Sequence, residues 1–261
     1  MEKGHAYFEL IDVLKQAGCP VCNLLIKDSR SYLEHLLYES VLDVPTRMEL
    51  QESFGLCNWH SWQLPRLPYV CSPDTGFAIF AIDLLRNFNH IAETMEKRCR
   101  KQRRRKWLLR KLSNRFLPRL KKKACPACRY VRQFEAYHLK NIVAFLREEE
   151  FLQVYRVCEG LCLPHFFLLE QNHSTHPKFC LLLELQRTKV DALRKTLEEF
   201  IRKQDYRLRH EITAGETKAW RIAMGLLNGR PGTFTNELGH NLMQGATSRV
   251  RRKRQKKFVS S

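Results

Sequence analysis

Apolar residues recur at intervals of three and four along most of this chain, which is the period of an amphipathic helix. Phe8, Leu10, Ile11 and Leu14 open the series, and Leu24, Leu25, Tyr32, Leu33, Leu36 and Leu37 continue it. Phe77, Phe80, Ala81, Leu84, Leu85 and Phe88 form another stripe, and a longer one runs through Leu181, Leu182, Leu185, Val190, Leu193, Leu197 and Ile201. Strict alternation of apolar and polar positions is scarce, so the pattern predicts an all-α protein. One helix is expected from about Val21 to Val41, where Leu42-Asp43-Val44-Pro45-Thr46 breaks it. No Gly or Pro lies between Cys128 and Glu159, and the matching reversal is placed near Glu148-Glu149-Glu150. Long amphipathic helices are expected to begin near Thr75 and near His176. From about Arg207 to Gly229, a turn should feed a last helix that docks through Ile222, Met224, Leu226 and Leu227. No apolar run reaches the roughly 18 residues that a membrane span requires.

Two copies of one cysteine–histidine pattern sit on this helical background. Cys19-Pro20-Val21-Cys22 is followed by Gly55-Leu56-Cys57-Asn58-Trp59-His60, and Cys125-Pro126-Ala127-Cys128 by Gly160-Leu161-Cys162-Leu163-Pro164-His165. Cys22 and Cys57 are 35 positions apart, Cys128 and Cys162 are 34 apart, and such matched spacing marks an internal repeat. Three thiolates and one imidazole are the donor set of a closed tetrahedral zinc site, which leaves no position for substrate or water. Pro20 and Pro126 stand where a helix can begin, and a helix N-terminus favours the thiolate that binds metal.

Two Cys3His zinc sites are therefore expected. Pairing within each repeat groups Cys19, Cys22, Cys57 and His60, and separately Cys125, Cys128, Cys162 and His165. An exchanged arrangement, in which the C-x-x-C of one half shares metal with the C-x-x-H of the other, is the open alternative. Either way the chain between half-motifs must fold back, because about 34 residues of uninterrupted helix would part its ends by roughly 50 Å. No apolar leader precedes the first motif, so disulfides are not expected. Cys71, Cys99, Cys158 and Cys180 have no counterparts in the repeat, and Cys158 lies close enough to Cys162 to compete as a ligand.

Charge is localised. The formal net charge of +19 arises from 46 basic and 27 acidic side chains. Fifteen of the basic residues lie between Lys97 and Lys123, which holds no acid, and seven more lie between Arg249 and Lys257. The remainder of the chain is slightly acidic. The first segment carries Arg103, Arg104, Arg105, Lys106, Arg110 and Lys111 around Trp107, Leu108, Leu109, Leu112 and Phe116, and reads as a basic amphipathic helix. Such a helix suits nucleic-acid phosphates, an anionic membrane surface or an acidic protein groove. The second, with Arg251, Arg252, Lys253 and Arg254, reads as a flexible electrostatic arm. The expected organisation is a first helical zinc half over 1–96, a basic linker helix over 97–123 and a second zinc half over 124–206. A docking helix over 207–230 and a disordered basic tail over 231–261 complete it.

The doubled C-P-x-C … G-L-C-x-x-H pattern, followed by R-H-E … G-E-x-x-A-W-x-x-A from Arg209 to Ala223, resembles an uncharacterised bacterial family of unknown function over roughly residues 5 to 230. The resemblance implies a cytoplasmic protein and the same eight ligands, and it implies no activity. The basic linker and tail depart from it. Of the candidate functions, the residues favour a non-enzymatic protein with two structural zinc ions that binds a polyanion, chiefly nucleic acid, or a protein. A thiol-based redox protein using the C-P-x-C pairs is the first alternative, and an iron–sulfur protein the second. No G-x-S-x-G, Walker or G-x-G-x-x-G sequence supports an enzyme, and the pair His210-Glu211 is not expected to be catalytic.

Overall fold

The computed structural model describes residues 3–67, 73–106 and 123–234. Among these residues there are ten α-helices and two short 3-10 turns, with no strand. The first helix, α1 (His5–Leu14), precedes two similar runs. One consists of α2 (Pro20–Tyr38), α3 (Val44–Glu52), the single turn α4 (Asn58–Ser61) and α5 (Pro73–Lys106). The other consists of α6 (Pro126–Phe145), α7 (Glu149–Val157), α8 (Leu163–His173) and α9 (Phe179–Arg202), and α10 (Ala214–Asn228) follows. The two pseudo-repeated halves are thus long helix, short helix, knuckle and long helix. No helix among the described residues is long and apolar enough to cross a membrane.

The breaks follow from local chemistry. Between α2 and α3 the Asp43 carboxylate accepts the Thr46 N–H at 2.9 Å and caps α3, with Pro45 in the first turn where its missing donor costs nothing. Between α6 and α7 the chain turns at residues 146–148, and Glu149 and Glu150 place negative charge on the first turn of α7. The final helix begins with a reciprocal cap: Thr213 Oγ1 accepts the Glu216 N–H at 3.2 Å, and the Glu216 carboxylate accepts the Thr213 N–H at 2.7 Å. His210 and Glu211 lie on an exposed 3-10 turn ahead of that helix.

The chain forms two compact units, and each takes segments from both repeats. Met1–Asp28 and Val131–Phe234 make the first, and Ser29–Tyr130 lies in the second. The core of the first is built from Tyr7, Leu10 and Leu14 of α1, Leu24 and Leu25 of α2, Leu139 and Ile142 of α6, and Phe151 and Tyr155 of α7. Edge-on packing of Tyr7 against Phe145, with centroids 5.2 Å apart, joins α1 to α6. Asp28 and His138 form a largely buried pair at 2.7 Å between α2 and α6. The second unit is centred on Leu33, Leu36, Leu37, Leu50, Leu64 and Phe80. Arg47 of α3 pairs with Asp83 of α5 at 2.5 Å.

Gly76 lets α5 approach α2 in the second unit. A Cβ there would stand 2.7 Å from the Leu37 carbonyl oxygen and 3.3 Å from Val41. Helix propensity alone favours Ala over Gly by about 1 kcal/mol, but crowding against a backbone oxygen costs more, typically about 1–3 kcal/mol. Gly76→Ala is therefore expected to lower stability by about 1–2 kcal/mol, read from the shift of a urea unfolding midpoint. A midpoint that rises would show that the contact is not tight.

Candidate metal centres

All eight motif residues lie at the starts of helices. Cys19 and Cys22 flank Pro20 at the head of α2, and Cys125 and Cys128 flank Pro126 at the head of α6. Cys57 and Cys162 are the N-cap residues of α4 and α8, with φ/ψ of −69°/165° and −67°/155°, and each puts a histidine three positions on. The glycine two residues earlier sets the knuckle: Gly55 and Gly160 have φ of +83° and +85°, a region unfavourable to any residue with a Cβ. A Cβ at Gly160 would also meet Lys189 at 2.8 Å and Gln186 at 2.9 Å.

These residues assemble into two groups, and the pairing is the exchanged one. Cys19 and Cys22 meet Cys162 and His165, while Cys125 and Cys128 meet Cys57 and His60. In each group the four donor atoms lie within 4.8 Å of one another. The expectation of pairing within each repeat is corrected, and helix length explains why. The helix α2 carries the chain about 24 Å from Cys22 to Tyr38, whereas the nine residues of α3 return it by only about 14 Å. The same mismatch separates the 20 residues of α6 from the nine of α7. A knuckle therefore ends far from the C-x-x-C that precedes it.

In the first group, His165 Nδ1 lies 3.4 Å from Cys19 Sγ, 3.5 Å from Cys22 Sγ and 3.1 Å from Cys162 Sγ, and Cys22 Sγ is 3.7 Å from Cys162 Sγ. In the second, His60 Nδ1 lies 3.1 Å from Cys57 Sγ, 3.7 Å from Cys125 Sγ and 3.4 Å from Cys128 Sγ, and Cys57 Sγ is 3.6 Å from Cys128 Sγ. Seven of the eight residues are buried, Cys57 being the half-buried one. The other imidazole nitrogen of His165 faces Glu135 Oε1 at 3.1 Å, the arrangement in which a carboxylate fixes the tautomer of a metal-binding histidine.

The protons of these groups are mutually dependent. Contacts with Cys162 and Cys19 hold the Cys22 thiol far below the usual range, and contacts with Cys125 and Cys128 do the same for Cys57. Hydrogen bonds with Cys19 and Cys22 push Cys162 far up, and those with Cys125 and Cys57 push Cys128 up, because a further thiolate beside an existing one is opposed without a cation. Burial pulls the His60 imidazolium down, but hydrogen bonds to Cys125 and Cys57 outweigh it and leave the group raised to about 9. A divalent cation in either group resolves this conflict by letting all three thiols ionise around a neutral imidazole.

Several supporting residues carry no sequence signal. Gln186 of α9 clamps the second knuckle at both ends of one residue, accepting the Leu161 N–H at 3.1 Å and donating to the Leu161 carbonyl at 2.8 Å. The backbone N–H of Arg230 donates to Cys22 Sγ at 3.4 Å, Thr233 Oγ1 lies 3.7 Å from the same sulfur, and the Phe234 ring packs 4.8 Å from that of His165. Residues 231–234, assigned from sequence to the disordered tail, thus cover the first centre, and Thr233 is buried. Cys158 belongs to neither group: its thiol donates to the Tyr155 carbonyl at 3.1 Å and accepts the Gly160 N–H at 3.3 Å. Cys180 is exposed, and it, Cys158 and the six cysteines of the two groups are free thiols.

The basic candidates fall largely elsewhere. The backbone of Arg103, Arg104, Arg105 and Lys106 forms the last turns of α5, which extends beyond the expected start of the linker at residue 97. Arg110, Lys111, Arg251, Arg252, Lys253 and Arg254, with Cys71, lie outside the described residues.

The sequence model of DUF6062, a family of unknown function, matches residues 2–230. An uncharacterised 23.9 kDa protein from the xynA 3′ region of Caldicellulosiruptor sp. (strain Rt8B.4) is 27% identical over 227 residues, covering 84% of this chain and 99% of the relative. No solved structure matches the chain.

The exchanged pairing makes a stoichiometric prediction. Metal content of the purified protein should fall by one ion in Cys19→Ser/Cys162→Ser, which disables one centre, and by two in Cys19→Ser/Cys57→Ser, which disables both. The reverse ranking would restore pairing within repeats. Glu135→Ala should weaken metal retention at the first centre by about 10–100-fold in a chelator competition, and leave the second centre unchanged.

Proposed function

The chain belongs to this family of unknown function, and we propose that it is a non-enzymatic binding protein, held together by two structural zinc ions, whose basic segments contact a polyanion. The observation that carries the zinc reading is the spacing of the donor atoms. A tetrahedral ion with Zn–S near 2.3 Å and Zn–N near 2.0–2.1 Å requires S···S edges of about 3.8 Å and S···N edges of about 3.6 Å. Edges of 3.6 and 3.7 Å between sulfurs and of 3.1–3.7 Å from sulfur to nitrogen fit a single ion at each centre. An iron–sulfur cluster distributes its terminal ligands over several irons and needs a wider set than one bounded by 4.8 Å. Cys19, Cys22, Cys162 and His165 would hold one ion, and Cys57, His60, Cys125 and Cys128 the other. Their four donors close the coordination sphere, so each ion supplies stability rather than reactivity. A dithiol enzyme needs an accessible pair, whereas each C-P-x-C pair here is buried beside a third cysteine and a histidine.

Each ion is expected to contribute on the order of 10 kcal/mol to the folded state. Stripping with a strong zinc chelator should therefore abolish most of the helical circular-dichroism signal, and retention of that signal would sink the structural role. Because zinc displaces protons from the thiols and from an imidazole raised to about 9, zinc titration of the apo chain at pH 7 should release protons, and retention should weaken as the pH falls.

The polyanion is nucleic acid in this proposal, supported by the concentration of basic residues in two segments and by the slightly acidic remainder of the chain. Replacement of Arg103, Arg104, Arg105 and Lys106 by Gln should weaken binding to duplex DNA and flatten its dependence on salt by up to about 0.9 log–log slope units per lost phosphate contact. An unchanged slope would remove these residues from the interface. A cytoplasmic location accords with this reading.

A further inference from the structure

A cavity of about 960 Å³ opens in the first unit beside the first centre. The knuckle from Cys158 to Cys162 forms one wall, α9 at Lys189 and Leu193 a second, and α10 from Trp220 onward a third. The lining is mostly apolar, and the size is at the upper end of small-molecule sites, which span roughly 300–1,000 Å³.

Packing explains only part of the motif that α10 carries. Glu216 closes the helix cap and pairs with Lys203 of α9 at 2.8 Å, and Ala219 is buried. Trp220 is not buried by that packing; it stands half exposed on the cavity wall, with the Arg221 guanidinium over its ring at 5.2 Å. Gly225 is more telling. Glycine inside a helix costs about 1 kcal/mol relative to alanine, yet no heavy atom lies within 4 Å of where its Cβ would sit. No protein neighbour requires a glycine there, and the position borders the cavity.

The charges at the cavity favour an anion. Lys189, Arg221 and Arg230 line it, and Glu159 is the one carboxylate among the lining residues, already accepting the Gly18 N–H at 2.9 Å. Lys189 Nζ donates to the carbonyls of Arg156 and Cys158, at 2.7 and 2.6 Å, and an ammonium has a third donor. Arg230 donates from one guanidinium nitrogen to Asn23 Oδ1 at 2.6 Å, and its fork has further N–H groups. A nucleic-acid strand is the poorer fit, since it requires a track of cations rather than an apolar wall.

We propose that this cavity is a binding site for a small amphipathic carboxylate, an alkyl or aryl acid whose apolar body lies along Trp220 and Gly225 and whose carboxylate is met by Lys189, Arg221 and Arg230. Cys19 and Cys162 of the first centre also lie on the wall; three thiolates around a divalent ion would leave that centre with one net negative charge, so with Glu159 the three cations remain in excess.

Calorimetric titration of the intact chain with decanoate and with 2-naphthoate tests it, with decanol as the uncharged control. The expected result is saturable binding of at least one acid at one molecule per chain, at least tenfold tighter than decanol. Gly225→Leu, a better helix former projecting into the cavity, should keep or raise the melting temperature and weaken acid binding at least tenfold. Arg230→Gln keeps the backbone N–H that faces Cys22, and should weaken acid binding severalfold without changing decanol. The proposal is overturned by the absence of binding to both acids, by equal affinity for decanol, or by unchanged binding in Gly225→Leu. Displacement of the acid by a short single-stranded oligonucleotide would instead make the cavity part of a nucleic-acid surface.

Discussion

The constraint on which the structure rests is that neither repeat can complete a ligand set. Each C-x-x-C opens a long helix whose length takes the following knuckle out of reach, so it must be met by the knuckle of the other repeat. Each centre nevertheless lies within a single compact unit, because the units themselves are assembled from both repeats. The helices α2 and α6 begin at a ligand pair in one unit and continue into the other. Topologically, this is what an exchanged dimer of a single repeat becomes when its two chains are joined end to end.

Around this constraint the two centres are supported differently. The first has Glu135 behind its histidine, Gln186 clamping its knuckle, and the segment after α10 laid over Cys22. The second relies on compact local bonding, in which Ser53 Oγ donates among the carbonyls of Glu49, Leu50 and Gly55, and the Gly55 N–H returns to the Leu50 carbonyl at 2.7 Å. Identical motifs have thus been built into unequal surroundings. The long-range supports of the first centre place it next to the large cavity, with Cys19 and Cys162 on its wall.

The helical class, the repeat and the eight cysteines and histidines that gather into the two groups were legible because each leaves a local mark: a period of three to four, a proline at a helix head, a glycine two residues before a capping cysteine. The reversal near Glu148 had no Gly or Pro to mark it; Glu149 and Glu150, which sit in the first turn of α7, are its one local trace. The pairing was not legible, since it depends on the difference in length between α2 and α3: the break after α2 was marked by Asp43 and Pro45, but the end of α3 at Glu52 was not. Glu135 and Gln186 were invisible for a related reason. Their partners are 30 and 25 positions away, and a lone polar residue on a helix usually means only a wetted face. The covering role of residues 231–234 was hidden by composition, which resembles a linker there.

The spans of the two centres are nested, and this orders assembly. Ligands of the second centre are separated by about 70 positions and those of the first by about 140, the shorter span lying inside the longer. On an emerging chain the inner loop is available for closure first, and closing it shortens the effective length of the outer one. The N-terminal pair Cys19 and Cys22 must therefore wait through the synthesis of most of the molecule, and their final cover, Arg230 to Phe234, arrives later still. During that interval two thiols are held open at the head of α2, so that, with zinc as the proposed ion, the metal would have to be at hand while the chain is still being completed.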